Sequence, residues 1–173
     1  MAVTGRGEPD PYAPTTSLST GALTTNELDQ VLTWNVVRVS RFLGQRLAGH
    51  LAEHGLSPVH FGVLGYLAIA PDMTQADLAR AVLVRPQSIA PLLDGLEERG
   101  LIRRTGDRAR GRRNPVQLTD EGRRSLERVW DVALSTNDLT DAGLDADESA
   151  ELNRLLLKII DATRGTRLDG YYE

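Results

Sequence analysis

The stretch from Met73 to Glu121 constrains this chain more than any other, because its hydrophobic period changes partway along. MTQADLARAV reads as a short helix. Thr74 can cap it, Asp77 in the first turn suits the positive helix end, and Leu78, Ala81 and Val82 fall at helical spacing. LVRPQSIAPLLDGLEERG repeats that spacing with Ile89, Leu92, Leu93 and Leu96, and Gly100 stands where a C-terminal glycine belongs. Two short strand-like runs follow, Leu101 to Arg104 and Pro115 to Leu118, flanking Thr105 to Asn114. Helix, helix, strand, arginine-rich loop, strand is the outline of a winged helix-turn-helix.

Such a module implies nucleic acid, and a formal net charge of −4 argues against that until the charge is located. Between Arg99 and Arg113 seven arginines face Asp107 alone, a local balance of +6, while acid concentrates from Asp138 to Glu151. Phosphate attraction is screened beyond about 8 Å at physiological salt, so the local balance decides.

Long helices flank the module on both sides. Thr24-Thr25-Asn26-Glu27 forms a capping box. Leu28, Leu32, Val36, Val39, Leu43, Leu47 and Leu51 then predict one amphipathic helix ending at Gly55, with Val31, Trp34 and Phe42 widening its apolar surface. Ser57 and Pro58 start the next helix, which carries Phe61, Val63, Leu64, Leu67 and Ile69 and stops at Pro71. Beyond the wing, Thr119 caps a helix with Asp120 and Glu121 in its first turn and Leu126, Val129, Trp130, Ala133 and Leu134 on its apolar face. A break at Asp141-Ala142-Gly143 leads to a last helix capped near Asp145, with Leu152, Leu155, Leu156, Ile159 and Ile160 at helical spacing. Alone, these stripes would expose broad apolar faces, which monomers rarely do. Packing on each other within one chain and pairing in a two-fold dimer both answer that. Residues 1–23, rich in Pro, Gly, Ser and Thr with Arg6 as the one cation, predict a disordered arm, and residues 166–173 a frayed tail.

LEERGLI, the arginine-rich loop and LTDEG, in that order between long helices, resemble the MarR family of dimeric transcriptional regulators. The resemblance runs in outline from about Thr24 to Gly165. It implies a mainly α fold with a small β wing: a winged helix-turn-helix lobe over 56–118, with dimerisation helices over 24–55 and 119–165. It further implies a homodimer on a palindromic double-stranded operator, acting as a repressor released by a small aromatic or phenolic ligand. The family's wing usually has an Asp two residues before an Arg. Here Arg112 matches the Arg while Arg110 stands at the acidic position, which puts the family's wing salt bridge in doubt, although Asp107 could substitute.

If the recognition helix starts at Pro86, its outward N-terminal face is Gln87, Ser88, Ala90 and Pro91, with Arg85 just before it. Gln can pair with adenine, Ser can bond either way, and Ala or Pro can touch a thymine methyl. Pro91 would then sit inside the helix without an N–H; alternatively Ser88 is the cap and Pro91 lies in the first turn. Sequence leaves both open. In the loop Arg108, Arg110, Arg112 and Arg113 alternate with small residues, as a tip entering a narrow minor groove would need. Thr74 and Gln75, at the start of the first helix, complete the DNA-facing set. By resemblance, Trp34, Arg38, His60, Tyr66 and Trp130, together with Phe61, line a ligand cleft; aromatics at helical spacing are as readily core.

Absences narrow the rest. With no cysteine there is no disulfide, thiolate metal site or thiol-based oxidation sensing. His50, Glu53 and His54 could begin a metal site, but no third ligand is fixed, and no metal or cofactor is expected. No catalytic arrangement or glycine-rich phosphate loop is present, so an enzyme is disfavoured. No apolar run approaches the ~20 residues of a membrane span and no signal core begins the chain, which reads as cytoplasmic. The competing function is a winged-helix architectural or protein-interaction module that binds DNA without sequence preference.

Overall fold

The computed structural model describes residues 24–105 and 115–163. The expected arm and tail, over 1–23 and 166–173, lie outside the described residues. By internal contacts the chain divides into two units, Met1–Arg41 and Phe42–Glu173.

In the first unit, α1 (Thr25–Asp29) begins with the expected capping box. Thr24 N–H donates to Glu27 Oε2 at 2.9 Å, and Glu27 N–H donates back to Thr24 Oγ1 at 3.3 Å. The single long helix predicted here is interrupted at Gln30 and Val31 before α2 (Leu32–Ala52) starts. The cause is local. The Asp29 carbonyl accepts from the Asn35 side-chain amide at 2.7 Å, while the N–H groups of Gln30 and Val31 bond three residues back. The stripe predicted along this segment also divides. Leu28, Leu32, Val36 and Val39 are exposed, whereas Leu47 and Leu51, in the part of α2 belonging to the second unit, pack into the core.

The second unit contains the winged lobe. The end of α2 turns at Gly55 into α3 (Pro58–Ile69), capped by Ser57 with Pro58 at the first position, as expected. Then come β1 (Met73–Thr74), α4 (Gln75–Ala81), α5 (Pro86–Glu98), β2 (Ile102–Arg104) and β3 (Pro115–Leu118). The antiparallel sheet has the order β1-β3-β2, with Arg103 opposite Gln117 and Thr74 opposite Pro115. β1 was not expected. Two residues carry no alternation to read, and only pairing with β3 makes them a strand.

The core of this unit is Leu51, Leu56, Val63, Leu64, Leu67, Leu78, Ile89, Leu93, Leu96, Ile102, Val116 and Val129 with their neighbours. Each fully buried Leu or Ile contributes roughly 1.5–3 kcal/mol by leaving water. α6 (Asp120–Ser135) follows with Thr119 as its cap, then one turn of 3-10 helix (Thr140–Ala142) and α7 (Ala146–Thr163). Asp145 and Glu148 cap α7 reciprocally at 2.9 and 3.0 Å. α7 buries none of its residues. Among the described residues no helix is long and apolar enough to cross a membrane.

Candidate nucleic-acid interface

The candidate interface is built on α4 and α5. At the head of α4, Thr74 Oγ1 donates to Asp77 Oδ2 at 2.6 Å and accepts from Asp77 N–H at 3.2 Å. These bonds hold the Asp77 carboxyl below its ordinary pKa, the Thr74 hydroxyl acting most strongly, and Arg80 pairs with the same carboxylate. The Thr74 hydroxyl proton is therefore committed within the cap, and Thr74 and Gln75 are both half-buried.

α5 begins at Pro86, which settles the alternatives left open by sequence: Ser88 lies inside the helix and Pro91 is its sixth residue. Pro91 cannot supply the N–H that would bond the Gln87 carbonyl, yet the helix continues to Glu98. Its inner face is well anchored. Ile89, Leu93 and Leu96 are each 0% exposed, and Leu92 packs beside them. On the outer face Arg85, Gln87, Ser88 and Pro91 are exposed and Ala90 is half-buried. Gly100, at a φ of 69°, lets the chain turn back so that Leu101 N–H reaches the Leu96 carbonyl at 3.0 Å.

The arginines divide by position. Arg104, only 12% exposed in its side chain, pairs with Asp94 at 2.6 Å and Glu97 at 3.1 Å, while its N–H donates to Glu97 Oε1 at 2.9 Å. That cation fastens β2 to α5 and is neutralised in place. Arg103 Nε donates to Gln117 Oε1 at 2.9 Å, and the Gln117 amide donates onward to Asp72. Arg99 Nη1 donates to the Gly55 carbonyl at 2.7 Å. The three described arginines of the +6 run thus have partners within the chain. Arg108, Arg110, Arg112 and Arg113, with Asp107, lie outside the described residues, between β2 and β3 in the sequence.

Two of the segments that carry the family resemblance, LEERGLI and LTDEG, are bonded to each other. Thr119 N–H donates to the Leu101 carbonyl at 3.1 Å, and Thr119 Oγ1 lies 2.7 Å from the Gly100 carbonyl. Three residues on, a Cβ at Gly122 would lie 2.0 Å from the Leu101 carbonyl oxygen and 2.7 Å from Leu118 Cδ1. The glycine of LTDEG is there because α6 starts against the backbone that ends LEERGLI. Sequence placed both segments but held no signal of their contact.

The candidate ligand residues fall in both units. In the first, Trp34 is 36% exposed and Arg38 pairs with Asp29 at 2.9 Å. In the second, Trp130 stacks on Phe61 with centroids 6.1 Å apart, yet is 50% exposed, and Tyr66 is 38% exposed. Trp34, Tyr66 and Trp130 are therefore not core. His60 has a structural task that sequence did not show. Its Nδ1 accepts from Ser57 N–H at 3.2 Å, and burial first, then the Arg99 charge, holds its pKa below the ordinary histidine value. Arg46 also escaped the sequence reading: it bonds Asp141 Oδ1 at 2.5 Å and the Asp138 carbonyl at 2.7 Å, tying α2 to the segment between α6 and α7. Among the described residues no group of three His, Cys, Asp or Glu could hold a metal ion.

Comparison with known proteins fits this geometry. A family model described as MarR family matches residues 54–113. The HTH-type transcriptional repressor Rv2887 of Mycobacterium tuberculosis is 30% identical over 131 residues, which are 76% of this chain and 94% of the relative. Its structure with salicylic acid superposes with a TM-score of 0.62 at 30% identity, covering 74% of this chain and 95% of that one. The transcriptional repressor CouR bound to a 23-mer DNA duplex gives a TM-score of 0.69 at 28% identity, covering 81% and 99%. CouR is also solved bound to p-coumaroyl-CoA.

Proposed function

The chain belongs to the MarR family, and from that membership we propose that it is a homodimeric, sequence-specific DNA-binding regulator, a cytoplasmic repressor released from its operator by a small aromatic or phenolic ligand. The observation that carries this reading is α5. Its Ile89, Leu93 and Leu96 face is fully buried, which leaves Arg85, Gln87, Ser88, Ala90 and Pro91 to meet a major groove. CouR in its DNA complex supports the same use of the fold.

Residues 24–55 and 119–165 are assigned to dimerisation. Support comes from α7, where Leu155, Leu156, Leu157, Ile159 and Ile160 remain exposed in the single chain. Linking two half-site readers makes the second contact effectively intramolecular, which is how a modest interface reaches operator affinity. Phosphate attraction falls to the loop arginines Arg108, Arg110, Arg112 and Arg113, since Arg104 is already neutralised. The effector class rests on salicylic acid in Rv2887 and p-coumaroyl-CoA in CouR, and on the exposed Trp34, Tyr66 and Trp130 with Arg38 and His60 nearby in sequence on the same two helices as Trp34 and Tyr66. No cofactor is required.

Selection of bound duplex from a random pool tests the reading. A palindrome with half-sites one helical turn apart is expected. Equal retention of all sequences would favour the architectural alternative. With the selected duplex, Arg110→Ala with Arg112→Ala should flatten the salt dependence by about 0.9 log units per lost phosphate contact.

A further inference from the structure

The turn between α4 and α5 departs in two ways from several other chain reversals and helix starts among the described residues. Three other chain reversals close with a backbone bond spanning five residues: Leu56 to Leu51, Leu101 to Leu96 and Leu144 to Leu139. In each a glycine holds the left-handed position, Gly55, Gly100 and Gly143. α4 closes in the same way, with Val84 N–H on the Ala79 carbonyl at 3.0 Å, but its left-handed residue is Leu83, at a φ of 55°. A leucine there is strained by its Cβ, where a glycine would not be.

The second departure concerns the cap, which α2, starting after Val31, also lacks. α1, α3, α4, α6 and α7 open on Thr24, Ser57, Thr74, Thr119 and Asp145, each closing with its side chain. α5 opens on Arg85, which makes no side-chain cap bond. Two residues apart, a strained leucine and an uncapping arginine occupy positions where common residues would stabilise the lobe.

Leu83 packs little in return. Val82 and Val84 on either side pack against the core, while Leu83 stays 64% exposed. Strain that the free chain does not repay is found where a partner uses it. The turn leads directly into the N-terminal end of α5, the end that meets base edges in a helix-turn-helix, and Arg85 beside it is exposed and cationic. We propose that Leu83 is a DNA-contacting residue. Its isobutyl group lies on apolar C–H surface of the duplex, deoxyribose or thymine methyl, next to a phosphate held by Arg85. This rests on the DNA-binding reading and adds a residue to it.

The experiment uses the full chain and the duplex it selects from the random pool. Leu83→Gly should raise the urea midpoint by relieving the strain, yet weaken binding to the selected duplex by roughly tenfold, as loss of a buried leucine contact would. The slope of log affinity against log salt should not change, because no phosphate contact is lost. Leu83→Asn, which tolerates the same backbone with less freedom than glycine, should behave alike and guards against a flexibility effect. Wild-type protein on a duplex carrying deoxyuridine for thymine separates the two sources: weaker binding marks the methyl, unchanged binding the sugar. Either variant binding the duplex as tightly as wild type would overturn the assignment while leaving the function standing. A variant whose mass by light scattering changes would overturn it in favour of a protein contact. If the wild-type chain enriches no duplex, the functional reading falls and this one with it.

Discussion

In α5 the apolar residues Ile89, Leu93 and Leu96 are fully buried, whereas in α7 Leu155, Leu156, Leu157, Ile159 and Ile160 are 37–58% exposed. The two helices have the same kind of apolar period, and both are long enough to form. They differ in what covers them. α5 is held by β2 through Arg104, by the sheet and by α4, while among the described residues α7 adds nothing to the buried core and is half-buried only at Ser149 and Leu152. An amphipathic period therefore specifies a helix and the width of its apolar face, but not the partner of that face. The buried lobe is complete in one chain; the proposed dimer would complete the other region.

That contrast can be broken most directly in α7. Leu156→Glu with Ile159→Glu would place unpaired charge in a dimer seam, at roughly 3–5 kcal/mol for each uncompensated charge. Light scattering should report single chains, operator binding should collapse, and circular dichroism should still show a folded lobe. A double variant that stays dimeric and binds would mean that the stripe closes an intrachain core.

The lobe side of the comparison is broken at Gly122. Gly122→Ala puts a methyl where the Leu101 carbonyl oxygen already sits, and we expect about 3 kcal/mol or more lost in urea unfolding. A loss below about 1 kcal/mol would show that α6 can shift at little cost.

Gln87→Ala sharpens the division of labour. It should relax preference at one base pair in each half-site by roughly 1–3 kcal/mol without changing the mass of the protein. Uniform loss across all sequences would reduce Gln87 to a positioning role.

The smallest effect is expected from His60. Its folded pKa lies below the unfolded value, so between the two the unfolded chain binds more protons, and stability falls as pH drops from above 6.5 into that window. His60→Gln keeps an acceptor for the Ser57 N–H and removes the titration. The variant's unfolding midpoint should therefore depend less on pH between 7 and 5, at a cost small beside the others; an unchanged pH dependence would assign that titration to another group.

Much of the architecture was legible because it is made within a few residues. Thr24, Ser57, Thr74, Thr119 and Asp145 cap helices through their own next turn, and Gly55 and Gly100 end them through the preceding one. Those interactions span three to five residues, so the letters that make them stand side by side. The outward and inward faces of α5 followed from the same short period.

Other features needed contacts between distant residues. β1 exists because Met73 and Thr74 meet Val116 and Pro115, and Arg104 pairs its charge with Asp94 and Glu97 rather than offering it to phosphate. Gly122 matters only because Leu101 arrives beside it. The break before α2 is local, yet it turned on one bond, from the Asn35 amide to the Asp29 carbonyl, competing with a helical one. What the amino-acid order determined by itself was which residues cap most of the helices and which faces are apolar, since these depend on short-range bonding and periodicity. What the tertiary structure alone decided was which apolar faces are buried and which charges are cancelled, since both depend on groups brought together from distant parts of the chain.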